Sequence, residues 1–316
     1  MKKILMGHNF VREGFASLEG NYEVIYPEKQ LFTRTEILER IADVDAFVPN
    51  FSFQTDEEMI DAGKKLQLIA NYGVGYNNID TAYAATKGIT VTNTPQSVLE
   101  PTAELCFALI MATARKLAYY NHKLHNGVRL DWSLYGDLGM PVYGQTLGIY
   151  GMGRIGQAIA RRAVASGMKI IYCNRHALPK EVEEKYGAVY VDFDTLLREA
   201  DVISLNAPAT AETYHLMGEQ EFKKMKRSAI LINTARGQLV DVQALAQALQ
   251  EGEIYAAGLD VYENEPKIPQ ELIGLDNVVL SPHAGTKTYA ARLDMEQEVA
   301  MNIINFFEGG EIDKVN

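Results

Sequence analysis

Arg236, Glu265 and His283 supply a fixed cation, a carboxylate and an imidazole, the residue types that an acid–base site requires. Arg236 lies in Asn233-Thr234-Ala235-Arg236-Gly237, Glu265 in Glu263-Asn264-Glu265-Pro266 and His283 in Ser281-Pro282-His283. Taken singly, each has an ordinary structural explanation. An arginine can cap a strand end, an acidic stretch is usually a solvated loop, and a lone histidine is more often structural. All three follow short apolar runs, however, and open parallel sheets keep their ligand sites just past the ends of such strands.

A second constellation suits a phosphate. Gly151-Met152-Gly153-Arg154-Ile155-Gly156 follows the run Gln145–Tyr150 and precedes the helical pattern Gln157–Ala165. The first glycine allows a tight turn, the second lets backbone approach a pyrophosphate, and the third packs helix against strand. The N–H groups and dipole of the helix start then face the ligand. A dinucleotide is expected here, bound through Gly151, Gly153, Arg154, Ile155 and Gly156. The next run, Lys169–Cys173, ends in Asn174-Arg175-His176, without the acid that NAD sites place about 20 residues on. Asn174 can bond a ribose hydroxyl without repelling a 2′-phosphate, Arg175 offers a guanidinium suited to one, and His176 is a candidate neighbour. Pairing of Arg175 with Glu181 or Glu184 is the structural alternative. NADP is the expected preference, with NAD as the alternative.

These groups need a parallel α/β frame to hold them. Candidate strands are Lys3–Met6, Glu23–Tyr26, Asp45–Val48, Leu68–Ala70 and Thr90–Val91, with helical stretches at Thr35–Ile41 and Thr55–Lys64. A second series runs Gln145–Tyr150, Lys169–Cys173, Asp201–Leu205, Ala229–Asn233, Ala256–Asp260 and Asn277–Leu280. Two joints separate the series. One follows Asn93-Thr94-Pro95 and leads into an apolar helix near Thr102–Leu117; the other follows Ser281–Gly285 and leads into a helix near Thr288–Phe307. If the last helix folds back on the first series, one domain is split around the other, with a cleft between them. Tyr119–Gly144 reads as a long connection, and its Tyr119, Tyr120, Trp132, Tyr135 and Tyr143 point to a subunit contact.

Composition limits the function classes. The 316 residues carry 30 Lys+Arg against 41 Asp+Glu, a net charge of −11 that opposes a nucleic-acid partner. Only Cys106 and Cys173 are present, so neither a disulfide framework nor a thiolate metal site is expected. No run suits a signal peptide or a membrane span, and a soluble, cytoplasmic protein without a metal is expected.

The Gly151–Gly156, Asn233–Gly237, Asp260–Pro266 and Ser281–Gly285 segments, in this order and spacing, resemble the D-isomer-specific 2-hydroxyacid dehydrogenases. The similarity runs from near the N-terminus to the final helix. Asn71-Tyr72-Gly73-Val74-Gly75-Tyr76-Asn77-Asn78-Ile79-Asp80 is similar to the substrate loop of the subgroup that reduces glyoxylate and hydroxypyruvate. Asn174-Arg175 is similar to its NADP-preferring members. The resemblance implies two doubly wound parallel-sheet domains: a Rossmann cofactor domain, 99–284, inserted into a flavodoxin-like substrate domain, 1–98 with 285–316.

It further implies NADPH-preferring reduction of small 2-oxo acids to D-2-hydroxy acids. Arg236 would clamp the carboxylate and polarise the carbonyl, and His283 would donate the proton. Glu265 would orient the imidazole and favour its protonated form. Substrate would also meet Tyr72 and the N–H groups of Val74 and Gly75. Cofactor contacts are implied at Thr102, Ala207, Pro208, Thr213, Thr234, Ala235, Asp260, His283 and Gly285, and a homodimer is implied. Ala284 and Thr286-Lys287 depart from the family pattern and bear on substrate identity. The other histidines, His8, His122, His125, His176 and His215, show no acid–base partner in the sequence. Rival readings are an NAD-dependent D-lactate-type or phosphoglycerate dehydrogenase, and a dinucleotide-sensing corepressor-like protein.

Overall fold

The computed structural model describes residues 1–49, 51 and 53–316. The chain divides into two compact units, Met1–Val98 with Thr286–Asn316, and Leu99–Gly285. Gly285 falls with the second unit, one residue beyond the expected end, because its N–H donates to the Asp260 Oδ2 at 3.0 Å.

In the first unit, strands β1 (Lys2–Met6), β2 (Tyr22–Ile25), β3 (Ala46–Val48), β4 (Leu68–Ala70) and β5 (Thr90–Thr92) form a parallel sheet in the order β2-β1-β3-β4-β5. Ile4 aligns with Val24 on one side and Ala46 on the other. Both faces are covered, which explains the uninterrupted apolar runs. Ile4, Met6, Val48 and Ala70 pack with Phe15 and with Met295, Val299 and Ile303 of the helix Tyr289–Glu308. On the opposite face Leu5, Phe47, Ile69 and Val91 meet Ile37 and Ile41 of the helix Arg34–Ile41. Thr33 and Glu36 close that helix start as a reciprocal cap.

The second unit holds β6 (Thr146–Tyr150), β7 (Lys169–Cys173), β8 (Ala188–Tyr190), β9 (Val202–Leu205), β10 (Ile230–Asn233), β11 (Ala256–Leu259) and β12 (Val278–Leu280). They form a parallel sheet in the order β12-β11-β10-β9-β6-β7-β8, so chain direction across the sheet reverses between β6 and β9. One face packs on the helices Leu99–Ala114 and Arg154–Ala165 through Cys106, Leu109, Ile110, Ile159 and Ala163. The other face packs on Leu245 and Leu249 of the helix Val242–Glu251.

Three elements differ from the sequence reading. The first joint helix begins at Leu99, earlier than expected, with Pro101 in its first turn, where a missing N–H costs no helix bond. Strand β8 is absent from the expected series, being three residues at a sheet edge with Val189 and Tyr190 largely exposed. The expected connection Tyr119–Gly144 contains most of a helix, Leu117–His125, that buries no side chain and so carries no apolar stripe to read. Beyond it Trp132, Leu134, Tyr135 and Tyr143 stand at 86%, 87%, 85% and 79% exposure. Among the described residues, no helix is long and apolar enough to cross a membrane.

Candidate active site

The ends of β10, β11 and β12 lie side by side, and each carries one member of the acid–base set. Past β10, the Asn233 amide pins the turn: Nδ2 donates to the Arg236 carbonyl at 2.8 Å and Oδ1 accepts the Ala235 N–H at 3.0 Å. A Cβ on Gly237 would fall 1.9 Å from the Tyr262 carbonyl carbon, so only glycine lets this turn press against the next loop. Arg236 is half-buried, with Nη1 donating to the Ala235 carbonyl at 2.6 Å. Burial lowers the guanidinium pKa, and the Glu265 charge opposes that shift.

Past β11, Asp260 is 1% exposed and organises the next strand end. Its carboxylate accepts the N–H groups of Ala284 at 2.7 Å and Gly285 at 3.0 Å, while its carbonyl accepts the His283 N–H at 2.8 Å. Those three bonds hold His283 at φ +49°, a left-handed conformation uncommon for residues other than glycine. Glu265 completes the set. Its Oε2 lies 2.6 Å from His283 Nδ1, and its Oε1 accepts the Tyr262 N–H at 2.9 Å. Burial pushes the Glu265 carboxyl up, but the bonds from His283 and Tyr262, with the charges of His283 and Arg236, bring it below 4.5. The carboxylate therefore stays ionised at neutral pH. With Nδ1 engaged by Glu265, proton exchange with a ligand falls to Nε2.

The glycine turn occupies the reversal point between β6 and β9. Gly151 has φ +90°, and a Cβ there would meet the Ala207 nitrogen at 2.9 Å; at Gly156 it would meet the Gly151 carbonyl oxygen at 2.7 Å. Around Gly153 nothing lies within 4 Å, so the space a side chain would fill is open. Gly153 caps the helix Arg154–Ala165 without a side chain, which leaves the first-turn N–H groups, those of Arg154 and Ile155 included, for an anion. This cradle fits a dinucleotide pyrophosphate.

Asn174 and Arg175 end β7. The Asn174 Oδ1 accepts the Met152 N–H at 2.7 Å and so braces the glycine turn, while its amide N–H groups remain for a ligand. Arg175 and His176 are exposed. Among the described residues no salt bridge joins Arg175 to Glu181 or Glu184; its charge instead helps to lower the pKa of the Glu212 carboxyl.

Several expected contacts prove to have internal partners. The Thr213 hydroxyl donates to the Pro208 carbonyl at 2.7 Å and accepts the Thr210 N–H at 2.8 Å, closing the loop past β9 that carries Ala207. Thr102 sits in the first turns of its helix with Oγ1 beside Gly285. Thr234 is buried, and Ala235 half-buried, in the Arg236 turn. In the other unit, past β4, the Tyr72 hydroxyl donates to the Arg292 carbonyl at 3.2 Å, and burial raises its pKa to about 12. His215, partnerless in the sequence reading, stacks on Tyr214 at 4.0 Å with Nε2 at 3.4 Å from Glu263 Oε2. Asn71, Asn93 and Asn233 are organisers that the sequence reading misses; their one sequence signal is an asparagine at a strand end.

The family model for the NAD-binding domain of D-isomer-specific 2-hydroxyacid dehydrogenases matches residues 107–285. The chain belongs to this family. A glyoxylate reductase of Thermococcus litoralis is 46% identical over 312 residues, covering 97% of this chain and 94% of the relative. The crystal structure of a glyoxylate reductase from Paecilomyes thermophila superposes with a TM-score of 0.90 at 36% identity, covering 99% of this chain and 98% of that one. An NADPH-dependent glyoxylate/hydroxypyruvate reductase from Sinorhizobium meliloti, solved with NADP and malonate, gives a TM-score of 0.85 at 32% identity, covering 99% and 96%. This dehydrogenase is thus an NAD(P)-dependent oxidoreductase acting on the CH–OH group of donors, with a nicotinamide dinucleotide as cofactor.

Proposed function

We propose that this dehydrogenase is a cytoplasmic, NADPH-preferring reductase of small 2-oxo acids, glyoxylate and hydroxypyruvate foremost, giving D-2-hydroxy acids. The observation that carries the reading is the 2.6 Å pair between His283 and Glu265, formed at the strand end next to that of Arg236. Arg236 binds the substrate carboxylate and polarises the carbonyl, where a desolvated cation acts strongly on developing negative charge. His283 delivers a proton from Nε2 to the carbonyl oxygen, while Glu265 holds the ring and balances its charge. When bound, the reduced nicotinamide supplies the hydride. The N–H groups of Val74 and Gly75 hold the substrate carboxylate. The first-turn N–H groups past Gly153 hold the pyrophosphate, Arg175 and His176 meet a 2′-phosphate, and Thr102, Pro208, Asp260 and Gly285 line the remainder of the cofactor.

NADP preference is supported by the lack of a carboxylate at Asn174 and by the exposed Arg175 guanidinium. The Leu99–Gly285 unit is assigned to the cofactor and the other unit to substrate. Homodimerisation through the segment that carries Trp132, Leu134, Tyr135 and Tyr143 is part of the proposal, and the exposed apolar surface there supports it. A molar mass near twice that of the chain in light scattering is the expected result.

The test follows loss of reduced-nicotinamide absorbance with glyoxylate, running NADPH and NADH in parallel. Faster oxidation of NADPH is expected. Faster oxidation of NADH overturns the cofactor preference alone. No oxidation with glyoxylate, hydroxypyruvate or larger 2-oxo acids overturns the enzymatic reading.

A further inference from the structure

The loop past β4 is held by its carbonyls. Gly73 adopts φ +149°, open to a residue without a side chain, and turns the chain after Tyr72. Its carbonyl accepts from Asn71 Nδ2 at 2.9 Å and from the Thr94 N–H at 3.2 Å. The Val74 carbonyl accepts from Asn93 Nδ2 at 2.8 Å, and the Gly75 carbonyl accepts from Asn71 Nδ2 at 2.9 Å. Three consecutive peptide units therefore have their oxygens bound by two asparagine side chains and one neighbouring backbone N–H.

Holding the oxygens also sets the direction of the N–H groups. In a trans peptide the N–H points opposite to the carbonyl of the same unit. The Gly73 and Val74 carbonyls are both held from the Asn93–Thr94 segment, so the N–H groups of Val74 and Gly75 point together away from it. The Tyr76 N–H likewise points away from Asn71. Among the described residues, none of these three N–H groups donates to another protein group. Aligned backbone donors of this kind bind anions.

The cost of the arrangement shows its purpose. Asn71 is 1% exposed, and its Oδ1 is buried without a hydrogen-bond partner among the described residues. A buried unsatisfied oxygen opposes folding. The residue is used for its donor end, which gathers two carbonyls. Asn93 has a backbone anchored independently of its side chain, since its N–H donates to the Asp313 carbonyl and its carbonyl accepts from Asn302 Nδ2. Its amide can thus be altered without releasing the segment.

We infer that Asn71 and Asn93 are positioning residues that aim the Val74, Gly75 and Tyr76 N–H groups at the substrate carboxylate. This rests on the proposed function, in which that loop binds a 2-oxo acid. Asn93→Asp keeps the shape, removes the donor and sets an acceptor against the Val74 carbonyl; Asn71→Ala releases the Gly73 and Gly75 carbonyls.

The experiment measures glyoxylate KM and kcat, the inhibition constant of oxamate and the affinity for NADPH in the wild type and in each variant. KM and the oxamate constant are expected to rise together, by roughly tenfold to a hundredfold, with kcat changed much less and NADPH affinity unchanged. Constants within about twofold of the wild type in Asn93→Asp and Asn71→Ala overturn the inference, as does an equal fall in kcat and NADPH affinity. If Asn71→Ala does not fold, Asn93→Asp and Asn93→Ser decide by the same criteria. Amide resonances of isotope-labelled valine, glycine and tyrosine, followed as oxamate is added to the NADPH-loaded wild type, separate the inference from the proposed function. Should the wild type reduce no 2-oxo acid, movement of the Val74, Gly75 and Tyr76 signals leaves the nest standing while the functional reading falls. If those signals stay still, the nest falls too.

Discussion

His283 Nδ1 and Glu265 Oε2 meet at 2.6 Å, although 18 residues separate them and they belong to different strand ends. Asp260 makes the meeting possible by holding the His283 turn from beneath with three hydrogen bonds. The pair fixes the face of the ring that addresses a ligand. His283→Ala is expected to abolish turnover and spare NADPH binding, read by stopped-assay rates and fluorescence titration. Glu265→Gln is expected to lower kcat by about 10²–10⁴. Because the Glu265 carboxyl titrates below 4.5, it remains charged as pH falls toward that value. Glu265→Gln should therefore lower kcat throughout the neutral range. Normal kcat at pH 7 in that variant would show the carboxylate to be dispensable.

Arg236 is set in a turn that Asn233 closes and Gly237 presses against the Tyr262–Glu263 backbone. Its guanidinium is partly desolvated, which strengthens its action on a developing negative charge. Arg236→Ala should reduce kcat/KM for glyoxylate by about 10²–10³, with a large rise in KM. Lysine should restore little, because a point charge cannot reproduce two parallel N–H donors on a carboxylate. Steady-state kinetics of both variants provide the check, and unchanged KM would remove Arg236 from substrate binding.

Much of this frame is legible because buried parallel strands announce themselves as apolar runs, as in Leu68–Ala70 and Lys169–Cys173, whose observed bounds agree with the sequence reading. Residues past such runs can be located by position alone, which is how Arg236, Glu265 and His283 stand out. Periodicity is silent where no face is buried, and the helix Leu117–His125 reads as connection for that reason. It is equally silent on the partner a polar tip selects. The Tyr72 phenol, the Thr213 hydroxyl and the Asn174 oxygen all turn to backbone groups that no spacing rule identifies.

The Asn174 bond to the Met152 N–H gives the cofactor preference a specific test. In Asn174→Asp one carboxylate oxygen can still accept that N–H, so the glycine turn keeps its brace. The added charge repels a 2′-phosphate and accepts from ribose hydroxyls. Together with Arg175→Ala, which removes the guanidinium, it should move the NADPH/NADH ratio of kcat/KM toward NADH by roughly tenfold to a hundredfold. Kinetics with the two cofactors measure this, and an unmoved ratio would place the discrimination elsewhere.

Glu296 gives a stability prediction away from the chemistry. It lies 1% exposed on the helix Tyr289–Glu308, accepting the N–H groups of Val11 at 2.9 Å and Gly14 at 3.3 Å. Burial pushes its carboxyl above 4.5; those two bonds oppose the rise, Glu13 adds to it and Arg292 opposes it. The folded state therefore holds this proton more tightly than the unfolded chain. Its contribution to stability is greatest below 4.5 and declines as pH rises through the raised folded value, after which it is constant. Glu296→Gln cannot titrate and should remove that part of the pH slope. Denaturant unfolding across this window compares the two proteins, with the wild type losing ground to the variant as pH rises. A constant difference would mean that the N–H bonds cancel the effect of burial, and one of opposite sign that they outweigh it and the native state favours the carboxylate.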